Sequence, residues 1–433
     1  MSQNYLRQTG FKVLGIAVAL FAFTALGTVP VFASVERVGE VVNSGLDQFE
    51  NFLDYTQINR LKAESEEKLG ITLAPYFKAR MNYTDNVFTQ PDTDRDDVTW
   101  TFRPGISGTY VNEKIGSIGV SYEAAFNYFT KHGDQNEQDQ FFHAFAELHP
   151  MENLTIDVNE TFSQQGATAA RAGLKVINYR DNSVGVDVEY DWNEWTPSIG
   201  YENFDREYNG KTFDRIDYSE DKWFWKLSRD VTEELGGRRS RVAIGLDQGF
   251  INYENTANRA SKWWEIYTKL DAELPMNMDL SARVGLHRRM PNAQFRNNFT
   301  PVVADILLGK DLNNGRSRVS GGFRRQPVES TFDDQLFYDE KLWYLKGVHK
   351  LTPRLRGRAS LNLRNADWEG VGAVGGVAVK RDDWSIGTSV GMDYAVREWL
   401  ILHVDYDWNR RDSKISDFDY GRNDFSVGMT MPL

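Results

Sequence analysis

Arginines recur in groups at even spacings through the carboxyl-terminal half. They include Arg239 and Arg241, Arg283 and Arg289 with His287 between them, Arg316 and Arg318, and Arg354, Arg356 and Arg358. A period of two places such residues on one face of a β-strand. Guanidinium groups gathered on one face bind carboxylate or phosphate groups in a bidentate way. The amino-terminal half offers the opposite charge at matching parity: Asp187, Glu189 and Asp191, with Glu123, Asp157 and Glu202. If both sets face one lumen, a basic wall opposes an acidic one, and charged walls set ion selectivity. Glu265, Lys269, Asp271, Glu273, Asp393, Asp405 and Asp407 fall on the same inward face. Cross-strand neutralisation that merely stiffens the wall is therefore the competing reading.

Catalysis finds less support. The six histidines, His132, His143, His149, His287, His349 and His403, are scattered, and no HExxH, G-x-S-x-G or P-loop pattern occurs. His143 and His149 share a strand parity, but at strand rise they stand about 20 Å apart, too far for one metal ion. The acidic run Asp92, Asp94, Asp96 and Asp97 lacks the glycine and distal glutamate of a calcium loop. It reads as a solvated loop, with weak binding of divalent ions that bridge lipopolysaccharide as the sharper variant. With no cysteine in 433 residues, disulfides, thiolate ligands and cysteine nucleophiles are all excluded. No catalytic residue, metal or cofactor is expected. A net charge of −12 argues against a nucleic-acid partner.

The elements that position these residues are strands. Val98, Trp100, Phe102, Pro104, Ile106 and Tyr110 alternate with Thr99, Thr101, Arg103, Gly105, Ser107 and Thr109. Val184, Val186, Val188, Tyr190 and Trp192 repeat the pattern, as do Leu400, Leu402, Val404, Tyr406 and Trp408. Short turns follow Tyr110, Leu148, Trp192, Leu274, Leu312, Val348 and Tyr394, and longer polar stretches (85–97, 131–137, 165–180, 366–383, 412–420) fall between them. Ten to fourteen residues per run is long for a sandwich strand, typically about 5–6. The pattern predicts an all-β fold, a monomeric transmembrane antiparallel up-and-down barrel of about eighteen strands over residues 70–433. The runs 316–326 and 339–349 alternate poorly. Aromatic residues make up 13%, as girdles at the two membrane interfaces require.

The amino terminus reads differently. Arg7 and Lys12 precede an apolar run at 13–26, and Val31-Phe32-Ala33 is a small-residue cleavage pattern, so residues 1–33 read as a secretory signal peptide. In residues 34–69 the apolar positions Val38, Val41, Val42, Leu46, Phe49, Phe52 and Leu53 recur at threes and fours. That spacing predicts an amphipathic helical segment, either a periplasmic arm or plug or simply a short helix lying near the barrel mouth. At the other end Phe425, Val427, Met429, Met431 and Leu433 alternate to the last residue. Such a strand resembles the signal read by the outer-membrane assembly machinery, departing from it in ending on Leu433 beside Pro432.

Three short runs carry a family resemblance: Tyr83-Thr84-Asp85-Asn86-Val87-Phe88, Arg103-Pro104-Gly105-Ile106, and Tyr201-Glu202-Asn203-Phe204-Asp205-Arg206. They resemble the outer-membrane β-barrel porins of the second type, a group that includes barrels associated with exopolysaccharide loci. The likeness covers residues 71–433. It implies a bacterial outer-membrane channel for small solutes, with exopolysaccharide export as a variant, and no catalytic residues. The expected partners are outer-membrane lipid, lipopolysaccharide, the assembly machinery, and polysaccharide or small anionic solutes. The alternative is a non-conducting scaffold or adhesion barrel.

Overall fold

A chain whose side chains alternate over a dozen residues cannot bury one face as a helix, so its backbone polar groups must pair with neighbouring strands. The computed structural model describes residues 71–89, 91, 95–112, 115–167, 177–209, 216–254, 259–292, 298–330, 337–369, 372–374 and 377–433. The expected leader at 1–33 and amphipathic segment at 34–69 lie outside the described residues.

The strands are β1 (Ile71–Thr84), β2 (Asp97–Asn112), β3 (Gly116–Phe129), β4 (Glu137–Met151), β5 (Leu154–Ala167), β6 (Ile177–Tyr190), β7 (Trp195–Tyr208), β8 (Tyr218–Asp230), β9 (Ser240–Tyr253) and β10 (Ser261–Leu274). The series continues with β11 (Met278–Pro291), β12 (Val302–Leu312), β13 (Ser317–Glu329), β14 (Phe337–Lys350), β15 (Leu355–Trp368), β16 (Gly372–Val374), β17 (Val377–Val379), β18 (Asp382–Arg397), β19 (Leu400–Ser413) and β20 (Tyr420–Pro432). Eighteen of them form one sheet in which each strand pairs antiparallel with the next, while β16 and β17 make a separate hairpin between β15 and β18. The last strand returns to the first, with Met431 opposite Phe77 and the Leu433 N–H donating to the Pro75 carbonyl at 2.9 Å. Closure leaves no unpaired edge, as a sheet in lipid requires.

Connections differ at the two ends. Those leaving the even strands β2 to β14, and β18, span two to four residues except for the nine between β8 and β9, and those leaving the other barrel strands span six to thirteen. The turn between β12 and β13 shows how a short connection is made. Asn313, Asn314 and Gly315 all take positive φ (53°, 55° and 78°), a conformation that asparagine and glycine tolerate best. The weakly alternating runs are β13 and β14. Their outward positions turn polar at Arg325, Lys341 and Asp339, near the long-loop end where outward side chains no longer need to be apolar.

Candidate functional site

On each strand one set of side chains is exposed and apolar, as with Trp100, Phe102 and Ile106 on β2 or Leu402, Val404 and Tyr406 on β19. The alternate set faces the enclosed side. Of the arginines singled out from sequence, Arg241, Arg283, Arg289, Arg318, Arg356 and Arg358 stand on that inner parity. Three do not belong to any strand. Arg239, Arg316 and Arg354 lie exposed in the short turns before β9, β13 and β15. Strand parity cannot be extrapolated past a turn whose backbone has left the extended region. Asp191 likewise lies just beyond β6, accepting a hydrogen bond from the Thr196 hydroxyl at 2.7 Å.

Most of the inner arginines are paired, Arg80 and Arg241 being exceptions among the described residues. Arg283 donates to Asp247 (2.8 Å) and Glu265 (2.6 Å), and Arg318 reaches Asp279 (2.7 Å) and Asp311 (3.2 Å). Arg356 and Arg358 share Asp393 at 2.8 and 2.9 Å, and Arg358 also reaches Asp405 at 2.8 Å. Arg364 donates to Glu340 at 2.6 Å. The expected basic wall is thus largely neutralised by carboxylates one or two strands away, which the period of two had placed on the same face.

The opposite stretch of wall is different. Glu147, Asp157 and Asp187 stand side by side across β4, β5 and β6, each directly opposite the next. Glu147 meets His149 at 2.8 Å, and Glu189, two residues beyond Asp187, holds Lys226 at 2.7 Å. Among the described residues, neither Asp157 nor Asp187 has a cation within bonding distance, and one Asp187 oxygen is buried with no partner. Like charges directly opposite each other in a sheet are destabilising.

Inner glycines give the wall its smoothness. A methyl added at Gly245 would stand 2.2 Å from the Tyr267 ring, and one at Gly105 would stand 2.2 Å from Tyr76. Gly119 and Gly200 similarly lie under Phe145 and Phe224. These rings lie flat along the wall because their neighbours lack a side chain. On the far face of the ring sits a cation, Arg283 over Tyr267 at 3.6 Å and Lys78 over Tyr76 at 4.7 Å. Lys78 then bonds Glu123 at 2.8 Å. Glycine, ring, cation and carboxylate form a stack along the wall rather than across the lumen. Glycines at inward parity were the sequence signal for it.

The outer surface decides where such a barrel resides. Its apolar side chains form a continuous band on all sides, with Tyr190, Trp192 and Trp195 exposed at the short-turn rim. An even-stranded, closed, antiparallel barrel with an apolar exterior and aromatic rim satisfies lipid and nothing else. The chain is a bacterial outer-membrane β-barrel. No protein-family profile matches it, and no curated protein matches it by sequence. Solved structures similar to it include OccK2 (OpdF) of Pseudomonas aeruginosa in complex with glucuronate, at 12% identity and TM-score 0.48, covering 83% of this chain and 98% of that one. OprD of the same organism shows 11% identity and TM-score 0.44, with 83% and 95% covered. The siderophore receptor PirA of Pseudomonas aeruginosa shows 10% identity and TM-score 0.45, with 83% and 80% covered. Likeness at this level says nothing of solute, so the lumen has to be read from its own residues.

At the long-loop end the barrel is packed inward, which the sequence did not disclose. Tyr179, Tyr253, Trp263, Tyr338 and Trp368 all have inward parity yet are nearly inaccessible to water. Loop residues close over them: Ile216 packs on Tyr179, Arg259 lies 4.7 Å over Tyr253, and Arg381 is held between Trp368 (4.3 Å) and Phe418 (3.7 Å). Carboxylates lock the arrangement. Arg289 pairs with Glu329, which also accepts from the Tyr253 hydroxyl at 2.7 Å, and Arg206 pairs with Asp181 at 2.6 Å. In the loops themselves, Lys131 donates to both Asp96 oxygens at 2.6 Å, and that bond raises its pKa. Asp97 is fully buried and accepts the backbone N–H groups of Thr130, Lys131 and His132. The described part of the acidic loop thus organises the chain around itself. His349 contacts the Ser317 hydroxyl at 2.7 Å, but no carboxylate among the described residues orients its other ring nitrogen, so these residues do not make a triad.

Proposed function

We propose that this barrel is a passive channel through which small hydrophilic solutes cross the outer membrane, with a preference for cations. An eighteen-strand closure has a backbone radius of about 18 Å at a strand spacing of ~4.8 Å and a tilt of ~40°. Barrels of that size leave an aqueous lumen. The observation that carries the reading is the charge balance on the inner wall. Most arginines of the inner wall are matched by carboxylates within 3.5 Å, Arg80 and Arg241 excepted, while Asp157 and Asp187 face the lumen without a counter-cation among the described residues. An unneutralised pair of carboxylates raises the local concentration of cations, whatever the charge of the whole chain. Export of an exopolysaccharide, the variant implied by the family resemblance, finds less support in a wall most of whose arginines are already engaged.

A non-conducting scaffold is the second reading, favoured by the buried Arg–aromatic packing at the outer mouth. Single-channel recording in planar bilayers separates the two. Stepwise conductance with a reversal potential on the cation side supports the channel, and a silent folded protein supports the scaffold.

A further inference from the structure

The outer face carries one charged group where lipid should be. Glu160 on β5 stands opposite Ala144 of β4 and Val184 of β6, on the exposed parity. Counted from the short-turn end of each strand, positions four to eight on the outer face are otherwise free of charge among the described residues. Glu160 is the seventh residue of β5. Six steps of about 3.3 Å at a tilt of ~40° lift it about 15 Å into an apolar band ~25 Å tall. Among the described residues, no hydrogen bond, ion pair or neighbouring charge meets its carboxyl group.

At that depth water and lipid headgroups are out of reach, and acyl chains donate no hydrogen bonds. A partner group must therefore come from another membrane-spanning wall. We propose that the β4–β5 face is the contact surface of a homodimer, with Glu160 of the two copies meeting at a two-fold axis parallel to the membrane normal. Such an axis preserves depth, so each residue meets its counterpart at the same level. Glu160 then faces the one charged group of its own depth. Two apposed carboxyl groups share a proton and hydrogen-bond to each other. The neighbouring outward side chains on β4 are Ala144 and Ala146. Small side chains allow two walls to approach closely, as they do between helices in lipid.

The absence of cysteine makes the test direct. Ala144→Cys is introduced alone, and Leu345→Cys on the far wall serves as the comparison. Each folded protein is treated in lipid with a short bis-maleimide, and the mass of the untreated wild type is measured in mild detergent. The expected result is a two-chain mass for the wild type and cross-linked dimer for Ala144→Cys but not Leu345→Cys. Adding Glu160→Leu to Ala144→Cys should cut the cross-linked fraction at least tenfold, while Glu160→Gln, which keeps hydrogen bonding, should retain most of it. A single-chain mass with equal cross-linking at the two sites overturns the proposal. So does cross-linking that Glu160→Leu leaves unchanged, and so does a larger ring in place of a dimer.

Discussion

Replacing Asp157 and Asp187 by asparagine together tests the cation reading quantitatively. Both side chains keep their size, so the barrel should fold as before. With a backbone radius of about 18 Å, a carboxylate on the wall acts on a passing ion from ~10 Å. At that distance one charge in water is worth about 0.4 kcal/mol, which screening at 0.1 M salt reduces to about 0.15 kcal/mol. Two charges attract a cation and repel an anion by equal amounts, so the difference is about 0.6 kcal/mol. The permeability ratio of potassium to chloride should therefore fall about threefold in the double variant. At 1 M salt the screening length is about 3 Å, and the same substitution should change the ratio by only about 10%. Reversal potentials under a salt gradient at pH 8 give both numbers. An unchanged ratio at 0.1 M in a folded, conducting double variant would refute the argument. A threefold change that persisted at 1 M would mean that the ions pass much closer to the wall than 10 Å.

Other consequences are equally accessible. Arg356→Ser with Arg358→Ser takes the arginine partners from Asp393 and Asp405 and leaves Asp393 only His403, which should destabilise the barrel by about 1–3 kcal/mol and lower the temperature of its heat-modified gel shift; an unaltered shift would show that the pairs are only nominal. Gly245→Val drives a methyl into the Tyr267 ring, and the displaced ring should carry Arg283 into the lumen and reduce single-channel conductance, whereas unchanged conductance would mean that the ring has another place to lie. Deleting residues 425–433 opens the sheet at β20, and the product should be degraded rather than accumulate folded in the outer membrane. Protein isolated from outer membranes should begin at Ser34 when sequenced from its amino terminus, and retention of residues 1–33 would contradict the signal-peptide reading.

The period of two was enough to read the strand architecture because each strand touches lipid on one face. Lipid tolerates few exceptions, so Trp100, Phe102 and Ile106 announce their face unaided. The same rule explains where reading became uncertain, since β13 and β14 place Arg325 and Lys341 outward near the loops, beyond the apolar band. Inner residues obey no comparable constraint. Arg356 and Arg354 look alike in sequence, yet one bonds Asp393 and the other sits in a turn. What separates them is the position of the turn, and the residues before β15 contain neither glycine nor asparagine to mark it.

Pairing was harder still, because it depends on register between strands far apart in the chain. Arg289 and Glu329 are separated by 40 residues, and they meet above the point where β12 begins, at Val302 opposite Leu286 of β11. There the chain leading into β12 still runs beside β11, with Arg289 and Phe299 exchanging backbone hydrogen bonds at 2.9 and 3.1 Å, and the ion pair spans it to reach the end of β13. The pair therefore ties the irregular start of β12 to its neighbours, and it couples the outer mouth to the charge pattern of the wall. On this reasoning Glu329→Ala, which leaves Arg289 buried beside Phe337 without its carboxylate, should loosen the mouth before it unfolds the barrel. Single-channel conductance should then rise or flicker while the heat-modified gel shift persists. Loss of the gel shift without any change in conductance beforehand would mean that the packed mouth serves stability alone.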